Sequence, residues 1–71
     1  MILYEDYEKI YALLLDQKNA VDHALVLQHL SDISCGSAED LEYLEDADYD
    51  KFVEMMKPGV PKKKLLKLLN R

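Results

Sequence analysis

The positions of glycine and proline constrain the fold of this chain more than any other feature. These residues occur only at Gly36, Pro58, Gly59 and Pro61, and both types interrupt regular secondary structure. Between the breaks, apolar residues recur every three or four positions, and no segment shows the strict alternation typical of strands. Because 71 residues cannot bury a second core, we predict a single all-α domain over residues 1–71.

The first half of the chain predicts two helices. Leu3, Tyr7, Ile10 and Leu14 follow the i, i+4, i+7, i+11 spacing of one helix face. Asn19 is the expected N-cap of a second helix. This second helix has a wide apolar face, as expected of a central, well-buried element, formed by Ala20, Ala24, Val26, Leu27, Leu30 and Ile33.

The second half predicts three shorter helices. Ser37 is a favourable N-cap for a third helix, and a fourth starts at Glu45 or Asp46. The inward side of the fourth helix consists of Tyr49, Phe52, Val53 and Met56. Pro61 suits the first turn of a fifth helix, because a helix does not use that N–H. The buried stripe of the fifth helix consists of Leu65, Leu68 and Leu69. The expected architecture is a compact five-helix bundle.

Charge is separated along the second half of the chain. Residues 37–50 include seven acidic residues and no basic one, whereas residues 57–71 include six basic residues and no acidic one. Lys62, Lys63 and Lys64 occupy the predicted first turn of the last helix, where the helix dipole disfavours an exposed cation by about 0.3–1 kcal/mol. Solvated lysines that only maintain solubility are the simpler explanation. Three successive departures from a local rule favour a further use, and complementary patches of this kind steer one molecule onto another.

Catalytic and metal-binding chemistry has little support in the sequence. His23 and His29 are six residues apart on one predicted helix, about 240° around its axis, so they do not share a face. Cys35 lies beyond the end of that helix. We therefore expect a protein that is not an enzyme and that has no catalytic residue, no metal site and no cofactor.

The composition indicates a compartment. A single cysteine excludes an internal disulfide and fits a reducing environment. No apolar run reaches the ~18–20 residues that cross a bilayer, and the N-terminus lacks the pattern of a signal peptide. We expect a cytoplasmic or nuclear protein without a membrane partner, and the net charge of −5 argues against general nucleic-acid binding.

The second half of the chain resembles the sterile alpha motif (SAM) family. The resemblance is carried by SAEDLEYLEDADYDKFVEMMKPGVPKKKLLKLL, residues 37–69, which is similar to that family in its short third helix, acidic fourth-helix start and basic, apolar fifth helix. The upstream VDHALVLQHLSDI is similar to the family's second helix. The chain departs from the family pattern at Val53 and Glu54, where a Gly-Ile pair usually ends the fourth helix, and it lacks the tryptophan common near the family's start.

This resemblance implies a protein-interaction module of a scaffold. Many SAM domains associate head to tail, through an acidic surface around the middle helices and a basic surface at the start of the last helix. Such a contact does not close on itself. The implied partner is a second copy of this chain or another SAM-like domain. The basic surface here consists of Lys62, Lys63, Lys64 and Lys67. The acidic surface consists of Asp40, Glu42, Glu45, Asp46 and Asp48.

Two other hypotheses remain open. Some SAM-like domains bind RNA hairpins through the start of the fifth helix, and the PKKK stretch supplies cations for phosphate contacts, although the nearby acidic residues repel a duplex. A basic amphipathic last helix also suits an anionic membrane surface. A domain of this length has few leucines to spare from its core for that purpose.

Overall fold

The computed structural model describes residues 3–70, so Arg71 and the first two residues of the predicted domain lie outside the described part. Five helices longer than one turn occur within it: α1 (Tyr4–Leu15), α2 (His23–Asp32), a 3₁₀ helix (Ala38–Tyr43), α3 (Asp46–Met55) and α4 (Val60–Leu68). A single 3₁₀ turn (Gln17–Asn19) separates α1 from α2. Residues 3–70 contain no strand, so the all-α prediction is confirmed.

Carboxylates cap α2 and the 3₁₀ turn before it. The Asp22 side chain accepts hydrogen bonds from the backbone N–H groups of Ala24 (3.0 Å) and Leu25 (3.4 Å), which makes Asp22 the N-cap of α2. The prediction that Asn19 caps this helix is therefore wrong. Asn19 instead ends the short 3₁₀ turn, which Asp16 caps.

Two residues with positive φ mark sharp turns next to helices. Ser34 (φ 57°) follows α2, and the N–H of Cys35 donates to the carbonyl of Leu30 (2.8 Å) in a Schellman motif. Gly59 (φ 141°) precedes α4 in a conformation that only glycine adopts readily, and Pro61 follows in the first turn. The break and the restart predicted from Gly59 and Pro61 are confirmed.

The core draws on every helix. The buried side chains are Ile10, Leu14, Ala20, Val26, Leu30, Cys35, Leu41, Tyr49, Phe52, Met56, Leu65 and Leu69. Tyr49, Phe52 and Met56 confirm three of the four inward positions predicted for the fourth helix, and Val53 is partly buried beside them. Ile10 and Leu14 confirm the predicted face of the first helix.

The wide apolar face predicted for the second helix is buried only in part. Val26 and Leu30 belong to the core, whereas Ala24 is exposed and Leu27 is 44% exposed. The reason is that α2 packs mainly against α1 and α3, which leaves its other side in solvent. Leu3, predicted to begin the stripe of the first helix, lies before α1 and is exposed. The prediction of a central, well-buried second helix is therefore wrong.

An isolated antiparallel bridge holds two connecting segments together. It pairs Ala20, before α2, with Met56, at the end of α3, and both side chains are buried. Beside it, the N–H of Lys57 donates to the carbonyl of Asn19 (2.8 Å). These contacts give hydrogen-bond partners to backbone N–H and C=O groups that lie outside the helices.

The first helix organises the second half of the chain. α1 packs against the 3₁₀ helix and against α4. Leu65 of α4 and Leu69, its C-cap residue, are buried, whereas Leu68 is only partly buried at the edge of the core. The stripe predicted for the last helix is thus confirmed at two of its three positions, and Leu68 remains accessible beside α1.

We expect Leu65→Ala to lower the free energy of unfolding by about 2–5 kcal/mol, because Leu65 is fully buried and its truncation leaves a cavity. Leu68→Ala, in the same helix but partly exposed, should cost less. Urea denaturation followed by circular dichroism measures both changes. Equal losses for the two variants would contradict the assignment of Leu65 to the core.

Tyr49 connects α3 to the 3₁₀ helix. Its side chain is buried, and its hydroxyl donates a hydrogen bond to the carbonyl of Leu41. Burial, with smaller contributions from neighbouring titratable groups, raises the pKa of Tyr49 to about 12. An unfolded tyrosine has a pKa of about 10, so folding favours the protonated hydroxyl.

The stability of the fold should therefore fall as the pH rises from about 10 to about 12, because the unfolded chain gives up the Tyr49 proton first. Tyr49→Phe removes this group, so the variant should lose less stability over the same pH range. Urea denaturation at a series of pH values measures the two slopes. Tyr43→Phe, at an exposed tyrosine, is the matched control. Identical slopes for Tyr49→Phe and the wild type would refute the assignment.

Candidate functional site

The predicted basic surface lies on α4, and three of its four lysines share a face. Lys63, Lys64 and Lys67 are exposed and fall within an arc of about 100° around the helix axis. Lys62 is half-buried and lies three residues before the buried Leu65, on the core side of the helix. The structure therefore sets Lys62 apart from the other three.

No carboxylate within residues 3–70 forms an ion pair with any of these four lysines. α4 begins at Val60, so Lys62 and Lys63 lie in its first turn and Lys64 directly follows, and that turn contains no acidic residue. The positive end of the helix dipole therefore meets cations without a compensating charge. The unfavourable placement predicted from the sequence is present in the folded chain.

Two of the five predicted acidic residues are partly buried and bind backbone groups inside the molecule. The Asp40 carboxylate accepts a hydrogen bond from the N–H of Gly36 (2.9 Å). Asp48 Oδ2 accepts one from the N–H of Glu45 (3.3 Å), and Asp48 Oδ1 lies 3.4 Å from His29 Nε2. Both aspartates are partly buried. Their carboxylates stabilise the starts of the 3₁₀ helix and of α3, so the main role of these two residues is structural.

The remaining three acidic residues face solvent. Glu42 lies in the 3₁₀ helix, and Asp46 is the first residue of α3. Glu45 is the exposed N-cap residue of α3, and its side chain accepts a hydrogen bond from the N–H of Asp48 in a capping box. The three residues fall within five residues of one another at the junction of the two helices. This acidic junction, Glu42–Asp46, is the exposed part of the predicted acidic surface.

An exposed aromatic side chain lies within the acidic junction. Tyr43 is 80% exposed, more than any other large hydrophobic residue of residues 3–70. A 3₁₀ helix has three residues per turn, so Tyr43 points away from Leu41, which is fully buried two positions earlier. An α-helix would place the two side chains on opposite sides as well, so the exposure of Tyr43 follows from the burial of Leu41 with either winding.

A groove between α1 and α4 is a feature that the sequence did not predict. It has a volume of about 640 Å³. Ala12 and Leu13 of α1 and Leu68 of α4 line it, together with Lys64 and Lys67 of the basic surface. Its walls are 50 residues apart in sequence, so only the packing of the two helices brings them together.

The histidines and the cysteine do not form a common site in residues 3–70. No group of three or more His, Cys, Asp or Glu side chains there is placed to hold a metal ion. His29 packs its ring edge-on against Phe52, with ring centres 4.9 Å apart. Burial, and then the charge of Asp40, raises the pKa of the Cys35 thiol, which favours its weakly nucleophilic protonated form.

Comparisons with known proteins identify no relative. No family model matches the chain, and no curated protein or solved structure matches it either. The resemblance to the SAM family therefore stays a prediction that rests on residues 37–69. No helix within residues 3–70 is both long enough and apolar enough to cross a membrane.

We expect Asp48→Ala to lower the free energy of unfolding by about 0.3–1.5 kcal/mol, because the start of α3 loses a hydrogen-bond acceptor and a favourable charge. Glu42→Ala is the matched control at an exposed acidic residue, and its effect should stay within about 0.5 kcal/mol. Urea denaturation measures both. A larger loss for Glu42→Ala than for Asp48→Ala would reverse the roles assigned to them.

Proposed function

We propose that this chain is a SAM-like protein-interaction module that associates head to tail. The exposed lysines of α4 on one copy meet the acidic junction of the next copy. The partner is a second copy of this chain or a related domain that carries one of the two surfaces. The contact joins two different surfaces, so it builds an open chain rather than a closed dimer.

The observation that carries this proposal is the absence of internal compensation for the lysines of α4. Lys63, Lys64 and Lys67 are exposed without an ion pair to any carboxylate of residues 3–70. Lys63 and Lys64 also lie near the end of the helix that its dipole makes positive, whereas Lys67 lies in the last turn. Glu42 and Glu45 are exposed on the same molecule. An intermolecular contact places carboxylates beside these lysines, which the described part of the folded monomer does not do.

The size of the effect sets the design of the test. Exposed ion pairs contribute about 0.2–1 kcal/mol each, so no single lysine should decide association. Two or three pairs acting together shift affinity by about tenfold or more, since each tenfold corresponds to about 1.4 kcal/mol. Double charge reversals are therefore the informative variants.

We expect light scattering on the wild-type chain to report particles that grow with protein concentration and shrink with added salt. At 1 M salt the Debye length falls to about 3 Å, which screens contacts between exposed charges. A wild-type chain that stays monomeric at millimolar concentration would contradict self-association, and a separate partner domain would then be the remaining form of the proposal.

The reversals Lys64→Glu/Lys67→Glu and Glu42→Lys/Glu45→Lys should each give a folded monomer. Mixed together, the two variants should form a 1:1 dimer and nothing longer, because each retains one intact surface. Asp40 and Asp48 are left unchanged, since both are partly buried and their carboxylates bind backbone N–H groups. Glu45→Lys removes a capping-box acceptor at the start of α3, so circular dichroism must show this variant folded.

Matched controls carry the same change in net charge elsewhere on the surface. Lys18→Glu/Lys51→Glu and Glu8→Lys/Glu54→Lys reverse exposed residues outside both surfaces, and both should assemble like the wild type. If the controls dissociate as readily as the test variants, net charge rather than surface complementarity governs association.

A further inference from the structure

We propose that Tyr43 is the anchor of this association, and that it inserts into the groove between α1 and α4 of the next copy. This inference rests on the proposed self-association, and it names the apolar contact at the centre of the charged surfaces. It assigns a role to the exposed Tyr43 and to the groove, neither of which the charge pattern alone explains.

Tyr43 has the exposure and the chemistry of an anchor. Its side chain is 80% exposed at the end of the 3₁₀ helix, and its position there is fixed by the burial of Leu41 two residues before it. Tyrosine is enriched among the residues that dominate binding energy, because it buries a large area and loses little rotamer freedom. A rigid, exposed ring at the acidic junction is therefore suited to enter a pocket.

The groove has the size and the lining to receive this ring. Its volume of about 640 Å³ lies within the ~300–1,000 Å³ range of pockets that bind ligands. Ala12, Leu13 and Leu68 provide apolar surface, and the small side chain of Ala12 leaves the space open between the two helices. Leu68 is accessible there because it is only partly buried against the core.

The charges around the groove favour the acidic junction as the occupant. Of the two carboxylates that line the groove, Asp6 lies 3.9 Å from Lys9 Nζ, and Asp16 accepts a hydrogen bond from the N–H of Lys18 (2.9 Å). Lys64 and Lys67 have no such partner in residues 3–70. The net charge available to an incoming segment is therefore positive.

The acidic junction has the complementary arrangement. Glu42 directly precedes Tyr43, and Glu45 follows it by two residues, so the apolar ring is flanked by carboxylates. In the groove, apolar surface is likewise flanked by the ammonium groups of Lys64 and Lys67. The groove and the acidic junction share no residue, so one copy uses both at once and the assembly continues.

Truncation of the ring provides the first test. Tyr43→Ala should weaken association at least tenfold in light scattering, whereas Tyr43→Phe, which keeps the ring, should associate nearly as the wild type does. Val21→Ala is the control, because Val21 is also exposed but lies outside both surfaces. Circular dichroism should show all three variants folded, since neither position contributes to the core.

A second test reports burial of the ring directly. The chain contains no tryptophan, so Tyr43→Trp introduces a single fluorescent probe at the anchor position. Its emission should shift to shorter wavelength as the protein concentration rises through the association range. Val21→Trp should show no such shift.

The groove is tested independently by Ala12→Gln, which adds a longer polar side chain at an exposed helix position. This variant should be monomeric, and it should form a 1:1 dimer when mixed with Tyr43→Ala, because each variant retains one intact surface. It should also abolish the emission shift when combined with Tyr43→Trp.

The possible results separate this inference from the proposed function. If the wild type associates in a charge-dependent manner but Tyr43→Ala and Ala12→Gln associate as tightly, insertion of Tyr43 is wrong and head-to-tail association stands. If the Tyr43→Trp emission does not shift while particles grow, insertion is likewise wrong. A monomeric wild type would overturn both.

Discussion

Packing of α1 against both the 3₁₀ helix and α4 is the contact on which the rest of the structure depends. Ile10 and Leu14 of α1 are fully buried, and the fully buried Leu41 and Leu65 anchor its two partners. Because the acidic and the basic segments pack on the same helix, that helix sets the distance between them. The groove between α1 and α4 follows from the same arrangement, since helix surfaces that meet at one stripe diverge at its edge.

The small size of the domain explains why several apolar residues remain exposed. A chain of about 60–70 residues buries only about 60% of the surface that it exposes when unfolded. As a result, α2 and α4 each bury only a narrow face, and Leu27 and Leu68 remain accessible. Exposed apolar residues are therefore ordinary here, and Tyr43 differs from them because exposed carboxylates surround it.

The acidic residues of the predicted acidic surface fall into two groups with different roles. Asp40 and Asp48 bind backbone N–H groups at the starts of two helices, where the dipole also favours a negative charge. Glu42 and Glu45 are exposed beside them, and Glu45 also forms a capping box with Asp48. One stretch of sequence thus stabilises the local fold and presents charge outward. Lys63 and Lys64 have no comparable structural reason for their position near the start of α4, which is why the proposed function assigns them to a contact surface.

The sequence by itself determined the helices of the second half and their breaks, because Gly59, Pro61 and the spacing of Tyr49, Phe52 and Leu65 act through local geometry and a single buried stripe. It also determined the separation of charge. Only the tertiary structure decided which helices are central, which carboxylates have internal partners, and where a groove opens. These properties depend on which faces meet across long stretches of chain. Leu68 lies beside α1, and α2 is partly exposed because it packs mainly against α1 and α3. The 3₁₀ winding of the helix that carries Tyr43 was likewise decided by the tertiary structure, because helical periodicity alone does not distinguish it from an α-helix over so few residues.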